Sequence, residues 1–278
     1  MQTGTVDVVN VPTQDVEYAS TLPDFRMAAY YNRYSTDMQF NVSDLSIFKN
    51  LDARLAVCYA ADREAMVNLA YFGCGDVLHF PLSQHMYDYD DSLADLHDIY
   101  SHGRDVELAK ELAEKSGLVG QTIRVITNGG AAFITEAEIL QANLKEIGVT
   151  VQIDNYDAAS FFNVYYDPTT YDIAMFAHSS PQGYAAGLLA EDPGWNEACF
   201  SGWDKYYDYI AFGEKVLATM DNDARKAMLY DETVMFEEGV LWFGICDTTV
   251  NMAIRNGLES VWPVGDGPML YSVWYWTE

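Results

Sequence analysis

Between His85 and His102 the chain gathers eight side chains that could hold a metal or move a proton: His85, Asp88, Asp90, Asp91, Asp95, His97, Asp98 and His102. An EF-hand needs glycine at its sixth loop position and glutamate at its twelfth. Counted from Asp88, those places hold Leu93 and Ile99, so that pattern fails. The run reads as a solvated acidic loop, with a weak cation site as the alternative. Ser201 in CFSGWD comes nearest to a nucleophile elbow but lacks the first glycine of G-x-S-x-G. With 42 acids in the chain, carboxylate pairs will form by chance; nothing selects one for hydrolysis. The chain is read as a non-enzyme with no metal site and no cofactor, an acid-pair hydrolase being kept only as a formal competitor.

Two other stretches could meet a ligand. Asn128-Gly129-Gly130 stands between the strand pattern TIRVIT and a helix, where backbone N–H groups favour anions. It has neither G-x-G-x-x-G spacing nor a nearby lysine, so its plain reading is a tight strand-to-helix turn. AHSSPQGY (177–184) leaves a second strand pattern, YDIAMFA, in the same way. Ligands of open α/β sheets sit at the carboxyl ends of the strands, so two such loops at one edge would form a single rim. The candidate ligand-binding residues are Asn128, Gly129, Gly130, His178, Ser179, Ser180, Gln182 and Tyr184. The late tryptophans, from Trp195 to Trp276, read mainly as core or lobe-contact residues, a few being suited to stacking on sugar or peptide.

The rim depends on the elements behind it. TVDVVNV (5–11), FRMAAYY (25–31) and MQFNV (38–42) read as strands. Asp105 and Gly117 bracket the helix DVELAKELAEKSG. TIRVIT is a strand, and Thr135 with Glu138 predicts a capping box for the next helix. That helix carries Ala137, Leu140, Leu144 and Ile147 on one face and stops at Gly148, before the strand VTVQI (149–153). A strand–helix–strand unit of this length implies a parallel pair with helices on its faces. Helices over 204–219 and 223–238, and β-rich segments over 240–254 and 269–276, complete one α/β body without repeats or low-complexity linkers.

Half of the 278 residues are hydrophobic, which supports a real core. A formal charge of −27 repels phosphate backbones and anionic lipid, so nucleic acid is not an expected partner. No apolar run approaches the ~20 residues that span a bilayer, and MQTGTVDVVN shows no signal peptide. Cys58, Cys74, Cys199 and Cys246 lack metal spacing and read as free thiols, mostly buried, although their even number allows pairing.

LDARLAVCYAADREAMV (51–67) sets Asp52, Arg54, Asp62, Arg63 and Glu64 among apolar residues. Leu51, Leu55, Val57 and Cys58 make a buried stripe, and Asp62 restarts the helix as an N-cap for REAMVNLAYFG. With the preceding FNVSDLSIFKN, this stretch resembles the dipeptide/oligopeptide-type (family 5) solute-binding proteins of ABC importers, with Asn41, Arg54, Ala56, Tyr59, Ala60, Asp62 and Arg63 matching in order. RDVELAKELAEKSGL, QTIRVITN, EAEILQANLKEIGVTVQI, YDIAMFA, DNDARKAMLYDETVMFEEGVLWFGI and AIRNGLESVW continue the resemblance over nearly the whole chain. It implies a periplasmic-binding-protein-like α/β lobe, a mixed sheet flanked by helices, forming one lobe of a two-lobed clamshell. Residues 1–278 would be that single lobe, about 1–30 and 255–278 crossing to the other, whose N-terminal part the sequence lacks together with any signal. The family uses the charged helix pair as framework. The implied function is non-catalytic binding of a peptide or other small polar solute for an ABC permease, in an extracytoplasmic location, periplasmic or lipoprotein-anchored. A ligand-sensing domain of a regulator is the alternative. Peptide-binding members often place an acid after the YDIAMFA-like strand to take a free amine; here His178-Ser179-Ser180-Pro181-Gln182 stands there, and NGGAAF offers no cation for a carboxylate. A longer peptide held by backbone contacts and a neutral solute such as an oligosaccharide are therefore both expected ligands.

Overall fold

A computed structural model describes residues 4–179, 183–259, 261 and 274–277. Its main sheet has the strand order β1 (Val8–Val11), β7 (Trp242–Arg255), β2 (Phe25–Phe40), β6 (Ile173–Ser179), β4 (Thr122–Thr127), β5 (Thr150–Asn155), with β3 (Gly75–Val77) also paired to β7. β4 runs parallel to β5 and β6, while the pairs involving β2 and β7 are antiparallel. The sheet is mixed and flanked by helices. A separate short pair joins β8 (Leu258–Glu259) to β9 (Tyr275–Trp276). The rest of the β-rich segment expected over 269–276 lies outside the described residues.

The parallel unit forms as its pattern predicts. The crossover helix Ala131–Glu146 buries Phe133, Ala137, Leu140 and Leu144, spaced at four, three and four residues, and so presents one apolar stripe to the sheet. Gln141 donates to the Val151 carbonyl at 2.8 Å and fixes the helix against β5. The helix begins five residues earlier than a Thr135–Glu138 box requires. Gly130 is its N-cap without a side-chain bond, and Thr135 Oγ1 donates instead to the Ala131 carbonyl one turn back.

FRMAAYY and the first three residues of MQFNV, expected in two strands, are the ends of one 16-residue strand, β2, which stops at Phe40. Its pairing with β7 slips between Tyr31↔Thr249 and Ser35↔Asp247, so that four steps on β2 face two on β7. Arg33 sits in this bulge with φ 61°. Beyond it the strand pair changes surroundings. Met38, Phe40 and Trp242–Cys246 belong to the main core, whereas Met252, Ile254, Leu258 and Val261 form a small cluster with Val8, Ala28 and Tyr30. Ala253 faces the opposite way, into a second small cluster with Val11, Ala19, Phe25 and Met27. The β2 side chains before the bulge are half-buried or exposed, while Ser35 to Phe40 are buried.

Candidate functional site

The charged helix pair is framework. Helix Leu51–Ala60 carries Arg54, which is buried and donates to the carbonyls of Phe48 and Lys49; burial pushes its pKa down to about 10. Arg63 opens helix Arg63–Ala70 and donates to the carbonyls of Leu78, Gly244 and Tyr100. Both guanidiniums thus donate to backbone oxygens rather than to carboxylates, and Arg54 Nε is buried without a partner. Asp62 accepts from Ala65 N at 2.9 Å, the expected cap. Asp62→Ala is expected to lower the unfolding free energy by about 1 kcal/mol. A urea melt unchanged by the substitution would contradict the cap.

The acidic run is more structured than a solvated loop. Asp88 is buried, and its two carboxylate oxygens accept from Ala185 N at 2.7 Å and Ala186 N at 3.0 Å, at the start of helix Ala185–Trp195. This capping role, with two backbone donors and a helix N-terminus, explains how a carboxylate is buried without a cation. His79 pairs with Asp95, His97 caps a short turn of helix, and His102 contacts Asp105. His85 Nδ1, Ser83 Oγ and Gln84 N all donate to Asp247 Oδ2 at 2.9–3.0 Å. Burial raises the Asp247 pKa, and those three bonds oppose the rise. The four cysteines are free, with Cys58, Cys199 and Cys246 buried.

The rim residues divide. Asn128 Oδ1 accepts from Gly130 N at 3.1 Å, and Gly129 takes φ 77° where a Cβ would stand 2.8 Å from the Tyr156 carbonyl, so the turn itself requires this glycine. Because β4 and β6 are parallel, this turn and Ser179 emerge at one edge of the sheet. His178 does not line a loop there. It lies within β6, its side chain 3% exposed, and its ring stacks on Trp242 at 4.6 Å. Tyr165 donates to Gln39 Oε1; the Gln39 amide then faces His178 Nε2 at 3.3 Å, which leaves Nδ1 to donate to Asp37 Oδ2 at 2.6 Å. The strand runs on to Ser179 because residues 173–179 pair in full with β2, and this carries His178 into the interior. Ser180 and Gln182 lie outside the described residues. Ser179 is exposed and Tyr184 half-buried.

Sequence reasoning missed the residues that meet these two across the sheet. Ser179 pairs with Tyr34, next to Arg33 in the bulge. Arg33 Cζ lies 4.7 Å from the centroid of Tyr87, whose ring is 5.6 Å from that of Tyr184. Tyr31 stacks on His85 at 3.7 Å with the planes 6° apart, and its hydroxyl donates to Asp76. That bond and burial raise the Tyr31 pKa to about 12. The only signal in the sequence is a basic residue between two strand patterns. The junction is a set of planar aromatic and guanidinium groups beside the place where β2 leaves the main core. Such a surface suits a ligand with flat polar groups and excludes water from one side of it.

Solved structures share this fold. The oligopeptide-binding protein AppA from Bacillus subtilis, in complex with a nonapeptide, matches with a TM-score of 0.77 at 17% identity, over 100% of this chain and 57% of that one. NikA from Brucella suis, in complex with Fe(III)-EDTA, gives 0.85 at 14% identity, over 99% and 58%. HbpA2 from Haemophilus parasuis gives 0.81 at 17%, over 100% and 55%. The chain therefore spans little more than half the length of these structures. No curated protein matches it in sequence. Among the described residues no helix is long and apolar enough to cross a membrane. The family description "bacterial extracellular solute-binding proteins, family 5 Middle" matches residues 1–191, well over half of the 278, and the chain belongs to that family of solute-binding proteins.

Proposed function

We propose that the chain is the ligand-closing lobe of an extracytoplasmic receptor that delivers a peptide or another small polar solute to an ABC permease, without catalysis. The observation that carries this reading is the β2–β7 pair, which leaves the main core, bulges at Tyr31–Ser35 and continues into two small clusters, in which a few buried residues such as Met252, Ile254 and Ala253 are flanked by half-buried apolar ones such as Val8, Tyr30, Phe25 and Met27. In a two-lobed clamshell such strands are the crossings, and segments of about 1–30 and 255–278 complete the facing lobe. Apolar faces on both sides of the far end then gain the cover that a sheet needs. The solute lies beside the bulge, against Asn128, Gly129, Gly130, Ser179, Ser180, Gln182 and Tyr184, and closure removes it from water. His178 supports the floor from below. A periplasmic or lipid-anchored location belongs to the same proposal.

Deleting the gene for the full-length receptor is expected to abolish uptake of a solute that the purified receptor retains from a mixed pool of peptides and oligosaccharides. Retention of a solute whose uptake is unchanged by the deletion, with loss of a transcriptional response to it, would favour a sensor domain instead.

A further inference from the structure

The junction contains an arginine that has no ion-pair partner among the described residues. Asp and Glu outnumber Lys and Arg 42 to 15 in this chain, yet among the described residues Arg33 makes no ion pair and no side-chain hydrogen bond. Its Nε is buried without a partner. A non-glycine residue at φ 61° costs about 1–2 kcal/mol, so the bulge would form more easily with glycine there. The strain places the guanidinium face over Tyr87, which is itself 63% exposed. Gly183 permits the arrangement: at φ 77°, a Cβ on it would stand 2.6 Å from the Tyr87 ring and 3.1 Å from Arg33 Nε. Tyr87 N donates to the Gly183 carbonyl at 2.7 Å and holds the two segments together. Tyr31 on His85 and Arg33 on Tyr87 are successive rungs, two residues apart on each of two facing segments. Beyond them Tyr184 lies under a second guanidinium, with Arg225 Cζ 5.2 Å from its ring. Arg225 differs from Arg33 in being anchored, to Thr219 O and Asn222 Oδ1.

We infer that Arg33 is a carboxylate-binding subsite of the cleft, receiving a solute carboxylate edge-on while Tyr87 covers the guanidinium face. The inference rests on the receptor reading above. The planar fork of an arginine matches both oxygens of a carboxylate, and stacking on one face leaves its edge as the remaining place for a polar partner. Aromatic cover on one side weakens the competition from water and strengthens the pair. A carboxylate on the facing lobe would have the same chemistry, and the test separates the two sources.

The full-length receptor is incubated with matched pairs of compounds: di- to pentapeptides as free acids and as C-terminal amides, and uronic acids with their parent sugars. Retained compounds are identified by mass spectrometry and their affinities measured by calorimetry. The acid member of the retained pairs should bind at least about tenfold tighter than its neutral partner, and Arg33→Gln should remove that difference. Arg33→Lys, which keeps charge but not the fork, should restore only part of it. Thermal melts verify that each variant is folded. Equal retention of acids and neutral partners overturns the inference while leaving the receptor reading intact. An Arg33→Gln effect of equal size on both members overturns it too, and assigns Arg33 to the facing lobe. Retention of no member also overturns it, and the uptake measurement then decides the receptor reading separately.

Discussion

Replacing Arg63 with alanine is expected to lower the unfolding free energy by about 3–5 kcal/mol. The side chain is 7% exposed and donates to three carbonyls from three different parts of the chain: Leu78, Tyr100 and Gly244. Its guanidinium also lies 4.5 Å from the centroid of Phe243 and 5.2 Å from that of Tyr100. Alanine leaves the carbonyls without their donor, removes the cation–π contacts and opens a cavity, three separate costs at one position. Methionine restores volume but no donor, so Arg63→Met should fall between the two. Chemical denaturation of the three proteins decides the matter. A loss under about 1 kcal/mol for alanine would mean that water reaches the carbonyls and that the arginine is not what joins these segments.

The second large effect should be a gain. Glu232 lies in helix Asn222–Gly239, fully buried, with neither carboxylate oxygen hydrogen-bonded. Burial raises its pKa from 4.5 to about 9, and nearby Asp88 adds to the rise. The folded state thus holds a proton that the unfolded chain releases above pH 4.5. Stability from this group is fully present below pH 4.5 and is lost as pH rises towards 9. Glu232→Gln removes the proton dependence while keeping the shape. At pH 7 the variant should be more stable by roughly 2–3 kcal/mol, the acid's linkage penalty less the cost of burying an unpaired amide. Below pH 4.5 the advantage should disappear or reverse. A difference between variant and parent that stays flat from pH 4 to 9 would show that Glu232 is ionised in the folded state.

Features with local causes were legible in the sequence. Asp62 and Asp105 each accept a backbone N–H three residues on, a bond that depends only on neighbouring residues. The TIRVIT–helix–VTVQI unit was legible because its apolar spacing and Gly148 stop are intrinsic to the segment. β2 was not read as one strand, because the bulge at Tyr31–Ser35 breaks the alternation. Ser35, Thr36 and Asp37 are polar yet buried between β6 and β7, so their character pointed the wrong way. The Thr135–Glu138 box failed because a glycine turn delivers the chain into helix without a capping side chain. Arg33, Tyr87, Tyr184 and His85 come together only through sheet pairing and the docking of the 79–90 loop. No local pattern marks such a cluster, and neither NGG nor HSSPQ carries a sign of it.

The sealed carboxyls also change what the charge of this molecule means. Burial raises the pKa values of Glu136 and Glu237 to about 8, beside about 9 for Glu232. At pH 7 all three hold protons almost fully in the native chain and release them on unfolding. Counting these groups alone, the folded molecule carries about −24, which is −27 plus three protons, while the unfolded chain carries the formal −27. Folding at neutral pH therefore takes up protons from the buffer, and the measured enthalpy of unfolding will vary with the buffer's own heat of ionisation. The native surface also repels like-charged neighbours, and itself, less than its composition implies.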